Sequence, residues 1–165
     1  MPAVIYKVGD DVSTDVIYPG RFMATVLPSE TPLHAFADDA ALNARLRSKE
    51  IPPGSVLLGG KNFGCGSSRE QAVSCLKGYG LVIVAESFAR IFLQNAINLG
   101  LRLIICPDLE AAEGDDLEFK PNSIINLKSH KEFSIESMPK SRQAVIDCGG
   151  LVAYTRKRLL GTEVI

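Results

Sequence analysis

The chain has no tryptophan and few of the residues that proteins use to hold metal ions. It contains four cysteines and only two histidines, His34 and His130. The cysteines lie far apart in the sequence and form no CxxC pair, so the pattern is a poor match for a zinc site. We expect these cysteines to be free thiols in a reducing compartment.

The chain also lacks an excess of one charge and any long apolar run. Its formal net charge is −1, and basic and acidic residues are mixed along it. We expect no nucleic-acid partner, because proteins that bind nucleic acids carry a basic stripe or patch and this sequence shows no basic stripe. The longest apolar runs, such as 81–85, are strand-sized and too short to cross a membrane. The first residues lack the features of a signal peptide, so we expect a cytoplasmic protein with no membrane association.

The apolar content is sufficient for one globular domain, and its pattern predicts an α/β fold. The 165 residues are 46% apolar, which is ordinary for a soluble domain, and we expect a single domain over 1–165. A β-α-β-α-β order is typical of helices packed on a mainly parallel sheet. The buried strands are predicted at 56–58, 81–85 and 101–106, and the helices at 69–77 and 88–99.

The remaining segments differ in character from this central unit. Short alternating runs at 117–119, 124–127 and 132–135 predict an added antiparallel β portion. The segments 9–19 and 20–32 are predicted to be loops, the second of them mobile. The other predicted elements are a first strand at 4–8 and helices at 33–49, 141–148 and 151–160.

The stretch from Gly60 to Gln71 carries the clearest functional signal. Three glycines allow backbone N–H groups to approach a small anion, and Ser67, Ser68 and Arg69 follow at the predicted start of a helix. Such a helix end attracts carboxylate or phosphate through unpaired N–H donors and the helix dipole. The Arg69 guanidinium can bind a carboxylate with two hydrogen bonds. We therefore expect a site for a small acidic molecule here.

The same serines have a purely structural interpretation. Ser67 to Glu70 fits a capping box, and Ser68 to Gln71 fits a second one shifted by one residue. One serine can cap the helix while the other reacts, and the sequence leaves open which does which. Ser87 is likewise predicted to cap the helix over 88–99. The polar loop residues Asp11 and Asp15 are expected to hold their own loop through Asx-type hydrogen bonds.

The run from Asn62 to Ala72, Asn-Phe-Gly-Cys-Gly-Ser-Ser-Arg-Glu-Gln-Ala, resembles the small subunits of isopropylmalate isomerase in the aconitase superfamily. Segments 9–17, 87–92 and 95–101 resemble further motifs of that family, so the similarity covers nearly the whole chain. It implies a layered β/β/α swivelling domain. It also implies a separate large subunit that holds a [4Fe-4S] cluster, with the active site between the chains and no metal bound by this one.

The resemblance implies a chemical role for the glycine-rich loop. Enzymes of this family remove water from a 2-hydroxy dicarboxylic acid and add it back in the opposite orientation. For this chain, the resemblance implies a role in leucine biosynthesis. Ser67 matches the catalytic base. An alkoxide becomes plausible only where N–H donors and cations stabilise its charge in a dry site. Ser68 is expected to add a hydrogen bond, and Arg69 to hold a substrate carboxylate.

Similarity to the family places the substrate-reading segment at residues 21–25, where Arg21 precedes Phe22, Met23, Ala24 and Thr25. Some relatives have an arginine at the position of Ala24. Its absence argues against an extra buried carboxylate, which needs a partner. Phe22 and Met23 favour an apolar group such as the isopropyl of 3-isopropylmalate. A methylated malate also fits, Arg21 could restore a cation for homoaconitate, and Phe22 and Met23 could serve only local packing.

A different class of function is compatible with the same residues. A non-catalytic module could bind anions through this loop without any partner. A nucleotide-binding domain is disfavoured, because 60–68 lacks both the Lys-Ser/Thr ending of a P-loop and the spacing of a dinucleotide fold.

Overall fold

A computed structural model describes residues 2–48 and 50–161 of the chain. Its central sheet has four strands in the order β1-β2-β3-β4, and every neighbouring pair is parallel. Because the strand order follows the chain, each connection crosses over to the next neighbour and carries helices. The strands are β1 (Val4–Lys7), β2 (Val56–Gly59), β3 (Val82–Ala85) and β4 (Arg102–Ile105).

A second sheet is formed by the predicted antiparallel portion. It has three strands in the order β5-β6-β7, and both pairs are antiparallel. Their spacing along the chain suits short turns between adjacent strands. The strands are β5 (Leu117–Phe119), β6 (Ser123–Asn126) and β7 (Lys131–Ser134).

The parallel sheet lies between the helices and the second sheet. Successive strand side chains point to opposite faces. Leu57 and Ile83 pack in the cluster that contains the helical residues. Val56 and Val84 pack in a second cluster that includes Ile124 of β6. This double coverage explains the unbroken apolar runs of β2 and β3 and confirms the β/β/α layering.

Across the described ranges, the helical layer consists of six α-helices and two short 3-10 segments. Gly100 ends the longest helix in a left-handed conformation, with φ of 75°, as expected for a glycine after a helix. None of the described helices is both long and apolar enough to span a bilayer. The helices are α1 (Thr14–Ile17), α2 (Ala40–Arg47), α3 (Glu70–Gly78), α4 (Arg90–Leu99), α5 (Lys140–Asp147) and α6 (Leu151–Leu159), and the 3-10 segments are Gly20–Phe22 and Thr31–His34.

Three predicted segments differ from the structure upstream of β2. The expected loop over 9–19 contains α1, which Ser13 caps by accepting a hydrogen bond from the Val16 N–H at 3.2 Å. The helix predicted over 33–49 begins only at α2, after Phe36 takes a φ of 49° and Asp39 caps the first turn. Position 49 lies outside the described residues. The segment 20–32 was expected to be a loop and instead carries 3-10 turns.

The predicted serine caps are wrong for both helices that follow β2 and β3. Helix α3 begins after Arg69 and α4 after Ala89, and neither N-cap residue makes a side-chain capping bond. Ser87 instead accepts a hydrogen bond from the Asn62 N–H at 2.9 Å. The serine thereby ties two loops together at one end of the sheet, and the hydroxyls of Ser67 and Ser68 are not used as caps.

A buried carboxylate joins the two sheets. The side chain of Asp115 accepts hydrogen bonds from the Ala112 N–H at 2.9 Å and from Asn126 Nδ2 at 3.0 Å, and Lys128 Nζ lies 3.0 Å away. These contacts, led by the Ala112 hydrogen bond, lower the pKa of Asp115 to about 2. Its carbonyl accepts from the N–H of Val4 in β1, so the charge is built into the sheet junction.

Candidate functional site

The glycine-rich loop leaves the carboxyl end of β2, where ligands commonly bind in open parallel sheets. Two other segments hold it in place. The Gly64 N–H donates to the Val12 carbonyl at 2.7 Å, and the Thr14 N–H donates to the Cys65 carbonyl at 2.8 Å. Isolated bridges also pair Phe63 with Phe88. The loop is therefore fixed between 12–14 on one side and 87–89 on the other.

Gly64 is required by the packing beneath the loop. Its φ is 81°, and a Cβ at this position would overlap the Phe92 side chain, lying only 2.5 Å from the Phe92 Cβ. Phe92 also makes edge-to-face contact with Phe63, with ring centroids 5.4 Å apart. The packed rings of Phe63 and Phe92 beneath the loop therefore fix the position and direction of the residues that follow.

Three consecutive backbone N–H groups after Cys65 are unused within the part of the chain that the structure describes. The amides of Gly66, Ser67 and Ser68 donate to no protein acceptor there. Gly66 and both serines are exposed. Such a run of donors, followed by the first turn of α3, can receive an anionic group.

Ser67 is held by its main chain while its hydroxyl stays accessible. Its carbonyl accepts from the Arg69 N–H at 2.9 Å and from Thr14 Oγ1 at 2.8 Å. The two hydroxyl oxygens of Ser67 and Thr14 lie 3.5 Å apart. The structure thus brings Ser67 and Ser68 to the open end of the loop with Arg69 directly behind them.

Arg69 is oriented by Asp15, which was expected to bond within its own loop. Its side chain is only 16% exposed and forms an ion pair with Asp15, while Nη1 also donates to the Tyr18 carbonyl at 3.2 Å. The expectation that Asp11 and Asp15 hold their own loop is wrong, because Asp11 accepts from Asn62 Nδ2 at 2.7 Å. Both aspartates reach across to the glycine-rich loop.

The segment 21–25 lies beside α3. Gln71 Nε2 donates to the Met23 carbonyl at 3.4 Å near the start of that helix, and farther along it the hydroxyls of Thr31 and Ser74 are 2.9 Å apart. Met23 and Ala24 are exposed, whereas Thr25 is half-buried. The predicted substrate-reading segment therefore begins close to the glycine-rich loop.

Two residues of this segment are already engaged within the chain. Arg21 forms two hydrogen bonds with Asp38, at 2.5 and 3.1 Å. The Phe22 ring stacks on His34 with centroids 4.1 Å apart and makes edge-to-face contact with Tyr18. Phe22 thus has the packing role that the sequence left open, and Met23 and Ala24 present the accessible surface.

Sequence reasoning missed the long-range contacts of two residues in this region. Thr14 and Asp15 stand in a short helix that carries no periodic signal, and their contacts join positions 53 and 54 residues apart. Their place in the motif shared with the family was the only available pointer. Within 2–48 and 50–161, no three or more His, Cys, Asp or Glu residues are grouped so that they could hold a metal ion.

Comparisons with known proteins agree on one family. A profile of the aconitase C-terminal domain matches residues 28–107. The 3-isopropylmalate dehydratase small subunit of Thermodesulfovibrio yellowstonii is 40% identical over 161 residues, covering 94% of this chain and 93% of that protein. The isopropylmalate/citramalate isomerase small subunit of Methanocaldococcus jannaschii is 40% identical over 164 residues, covering 96% and 95%.

A solved structure shows the same fold. The crystal structure of 3-isopropylmalate dehydratase from Methanocaldococcus jannaschii matches with a TM-score of 0.85 and 39% sequence identity. The match covers 96% of this chain and 94% of that one. Sequence and structure are therefore similar over almost the same length.

Proposed function

Because the chain belongs to the family of 3-isopropylmalate dehydratase small subunits, we propose that it supplies the base and a carboxylate-binding element of a hydro-lyase site completed by a large subunit. The reaction removes water from a 2-hydroxy dicarboxylic acid and returns it in the opposite sense, as in leucine biosynthesis. One observation carries the proposal: an accessible hydroxyl, unused amides and an oriented guanidinium lie together over residues 66–69.

Ser67 is the residue that we assign as the base. A serine alkoxide is a poor resting state in water, and fixed N–H donors in a dry site are what stabilise it. The unused amides of 66–68 supply such donors. Ser67 itself is exposed on the isolated chain, so the site becomes dry only when another surface covers it. This requirement supports a two-chain enzyme.

Arg69 and Ser68 are assigned to the substrate carboxylate. Asp15 and the Tyr18 carbonyl hold one side of the guanidinium, while Nη2 and Nε have no acceptor among the described residues. A guanidinium fixed in this way can present its free edge to a carboxylate without losing side-chain freedom on binding. The Ser68 hydroxyl, which caps no helix, is available for a further hydrogen bond.

The segment 21–25 supports a substrate with an apolar side group. Arg21 is paired with Asp38 through two hydrogen bonds, so a second carboxylate would have to compete with this ion pair. Met23 and Ala24 offer an apolar surface beside α3. We therefore favour the isopropyl group of 3-isopropylmalate, with a methylated malate as the second choice and homoaconitate as the least supported.

The described residues do not fit an iron–sulfur cluster. Cys75 and Cys106 lie in separate apolar clusters on opposite faces of the parallel sheet. Burial raises the pKa of both thiols, that of Cys106 to about 11, which disfavours the thiolate that a cluster needs. We assign the [4Fe-4S] cluster of this aconitase-type enzyme to the large subunit and derive no step through it.

The surface around the site supports a protein partner. Val16, Met23 and Ile91 are between 37% and 50% exposed, and they stand on the three segments that surround the glycine-rich loop. Exposed apolar residues next to an open polar site are typical of surfaces that another chain covers. We also propose that residues 1–165 act as one swivelling domain and that the enzyme is cytoplasmic.

The experiment combines the purified chain with its large subunit and 3-isopropylmalate. We expect ultraviolet absorbance from the unsaturated intermediate, and a loss of at least about 100-fold in kcat for Ser67→Ala, the usual range for removing a general base. Ser129→Ala, an exposed serine in the β6–β7 turn, serves as the matched control. Full activity of Ser67→Ala would remove Ser67 from the role of base. Carboxylate binding without partner-dependent activity would favour the non-catalytic module.

A further inference from the structure

Thr14 is a buried hydroxyl that faces the proposed base. It is the first residue of α1 and is 2% exposed. Its N–H donates to the Cys65 carbonyl at 2.8 Å, and its hydroxyl donates to the Ser67 carbonyl at 2.8 Å. One residue thus binds the glycine-rich loop twice, on either side of Gly66.

We propose that Thr14 is a positioning residue for Ser67, an inference that rests on the proposed function. Ser67 follows Gly66, whose φ of 89° places it in a conformation with little steric restraint. The carbonyl of Ser67 has two donors, the Arg69 N–H and the Thr14 hydroxyl. Removing the hydroxyl leaves only the Arg69 N–H, so the peptide plane that follows Ser67 is held less firmly.

The Thr14 hydroxyl also lies within reach of the reacting oxygen. Its Oγ1 is 3.5 Å from Ser67 Oγ and 2.8 Å from the Ser67 carbonyl oxygen. A hydroxyl has one proton to donate, and rotation about the Thr14 Cβ–Oγ1 bond can turn it from the carbonyl to Oγ. A donor to Oγ favours the deprotonated form of Ser67. Thr14 keeps its own proton throughout, so no group is transferred.

A merely structural role for Thr14 predicts a different result. Ser55 provides the comparison, because its hydroxyl is 3% exposed and donates to the Pro52 carbonyl at 2.7 Å. Ser55 precedes β2, whereas the site follows β2, so the two lie at opposite ends of the sheet. Ser55→Ala therefore removes an equally buried hydroxyl-to-carbonyl bond far from the reaction.

The test uses Thr14→Val, Thr14→Ser and Ser55→Ala in the complete two-chain enzyme. For Thr14→Val we expect kcat to fall about 10- to 100-fold, as for the loss of one buried hydrogen bond at a reacting group, with KM changed less than about threefold. The limb of the pH–rate profile that reports Ser67 deprotonation moves to higher pH. Thr14→Ser keeps the hydroxyl and recovers most of kcat, and Ser55→Ala lowers thermal stability but leaves kcat unchanged.

Each outcome has a distinct meaning. An unchanged kcat for Thr14→Val, while Ser67→Ala is inactive, overturns the inference and leaves the proposed function standing. A fully active Ser67→Ala, or a wild-type pair without activity, contradicts the proposed function itself. If Thr14→Val does not fold, Thr14→Ala takes its place in the comparison with Thr14→Ser. If neither variant that lacks the hydroxyl folds, Thr14 has a structural role only and the inference is overturned.

Discussion

Gly64→Ala tests whether close packing against Phe92, rather than backbone conformation alone, fixes the glycine-rich loop. Gly64 has a φ of 81°, and Gly114 has a nearly equal φ of 84° with nothing within 4 Å of a Cβ added there. An alanine at either position adopts a left-handed conformation, at a cost of about 1–2 kcal/mol. Only at Gly64 does the added methyl overlap Phe92, which adds about 1–3 kcal/mol of overpacking.

The expected free energies of unfolding therefore separate the two variants. Gly64→Ala loses about 2–5 kcal/mol and Gly114→Ala about 1–2 kcal/mol, from the sum of those two effects. Urea unfolding of each variant, with a common m-value, measures the difference as a shift of the midpoint. Gly64→Ala also displaces the loop three residues before Ser67, so its activity falls with the large subunit present.

A double-mutant cycle identifies the contact responsible. Phe92→Ala removes the ring atoms that overlap the Gly64→Ala methyl but keeps the Cβ at 2.5 Å, so it relieves the overlap only in part. The two substitutions together therefore cost less than the sum of their separate effects, with a coupling of about 0.5–1.5 kcal/mol. Equal destabilisation by Gly64→Ala and Gly114→Ala, or additive effects of Gly64→Ala and Phe92→Ala, would refute the steric argument. Left-handed strain alone would then explain why this position is glycine.

Two further predictions concern ionisation. The pKa of Asp115 is lowered from 3.8 to about 2, so its stabilising contribution is complete above pH 4 and is lost as the pH falls from about 4 towards 2. Asp115→Asn should therefore destabilise the protein at pH 7 and flatten its acid unfolding curve, as followed by circular dichroism. Native alkylation with iodoacetamide should modify the two half-exposed cysteines and spare the buried Cys75 and Cys106, whose pKa values are raised by burial. Four adducts by mass spectrometry before unfolding would contradict the buried assignments.

The sequence was sufficient for the parts of the fold that depend on apolar patterning. Strands β2 and β3 are covered on both faces, so β-branched and aliphatic runs without alternation identified them directly. The same reasoning located the antiparallel strands, whose burial alternates in β6. The helix before β2 was extended too far, because Phe36 and Asp39 break a spacing that looks continuous in the sequence.

The serine caps were mispredicted because two patterns compete for the same residues. The sequence from Ser67 to Gln71 matches two overlapping capping boxes. In the structure, however, the Ser67 carbonyl accepts hydrogen bonds from the Arg69 N–H and from the Thr14 hydroxyl. This tight turn moves the helix start to Glu70 and turns both serine side chains away from the first helical amides. Local rules could not anticipate it, since Thr14 lies 53 residues earlier in the chain.

The same long-range contacts explain why a site for an acidic substrate can be rigid and yet open. Asp15 orients Arg69, Thr14 restrains Ser67, and Phe92 supports Gly64, so binding a substrate costs little conformational entropy at these positions. This chain alone does not exclude water from the site, because Ser67 and its neighbouring amides face solvent. Electrostatic stabilisation of an alkoxide grows when water is excluded, so covering these groups with a second chain couples assembly to catalysis. Under the proposed function, the isolated chain therefore holds the Ser67 hydroxyl in place without activating it.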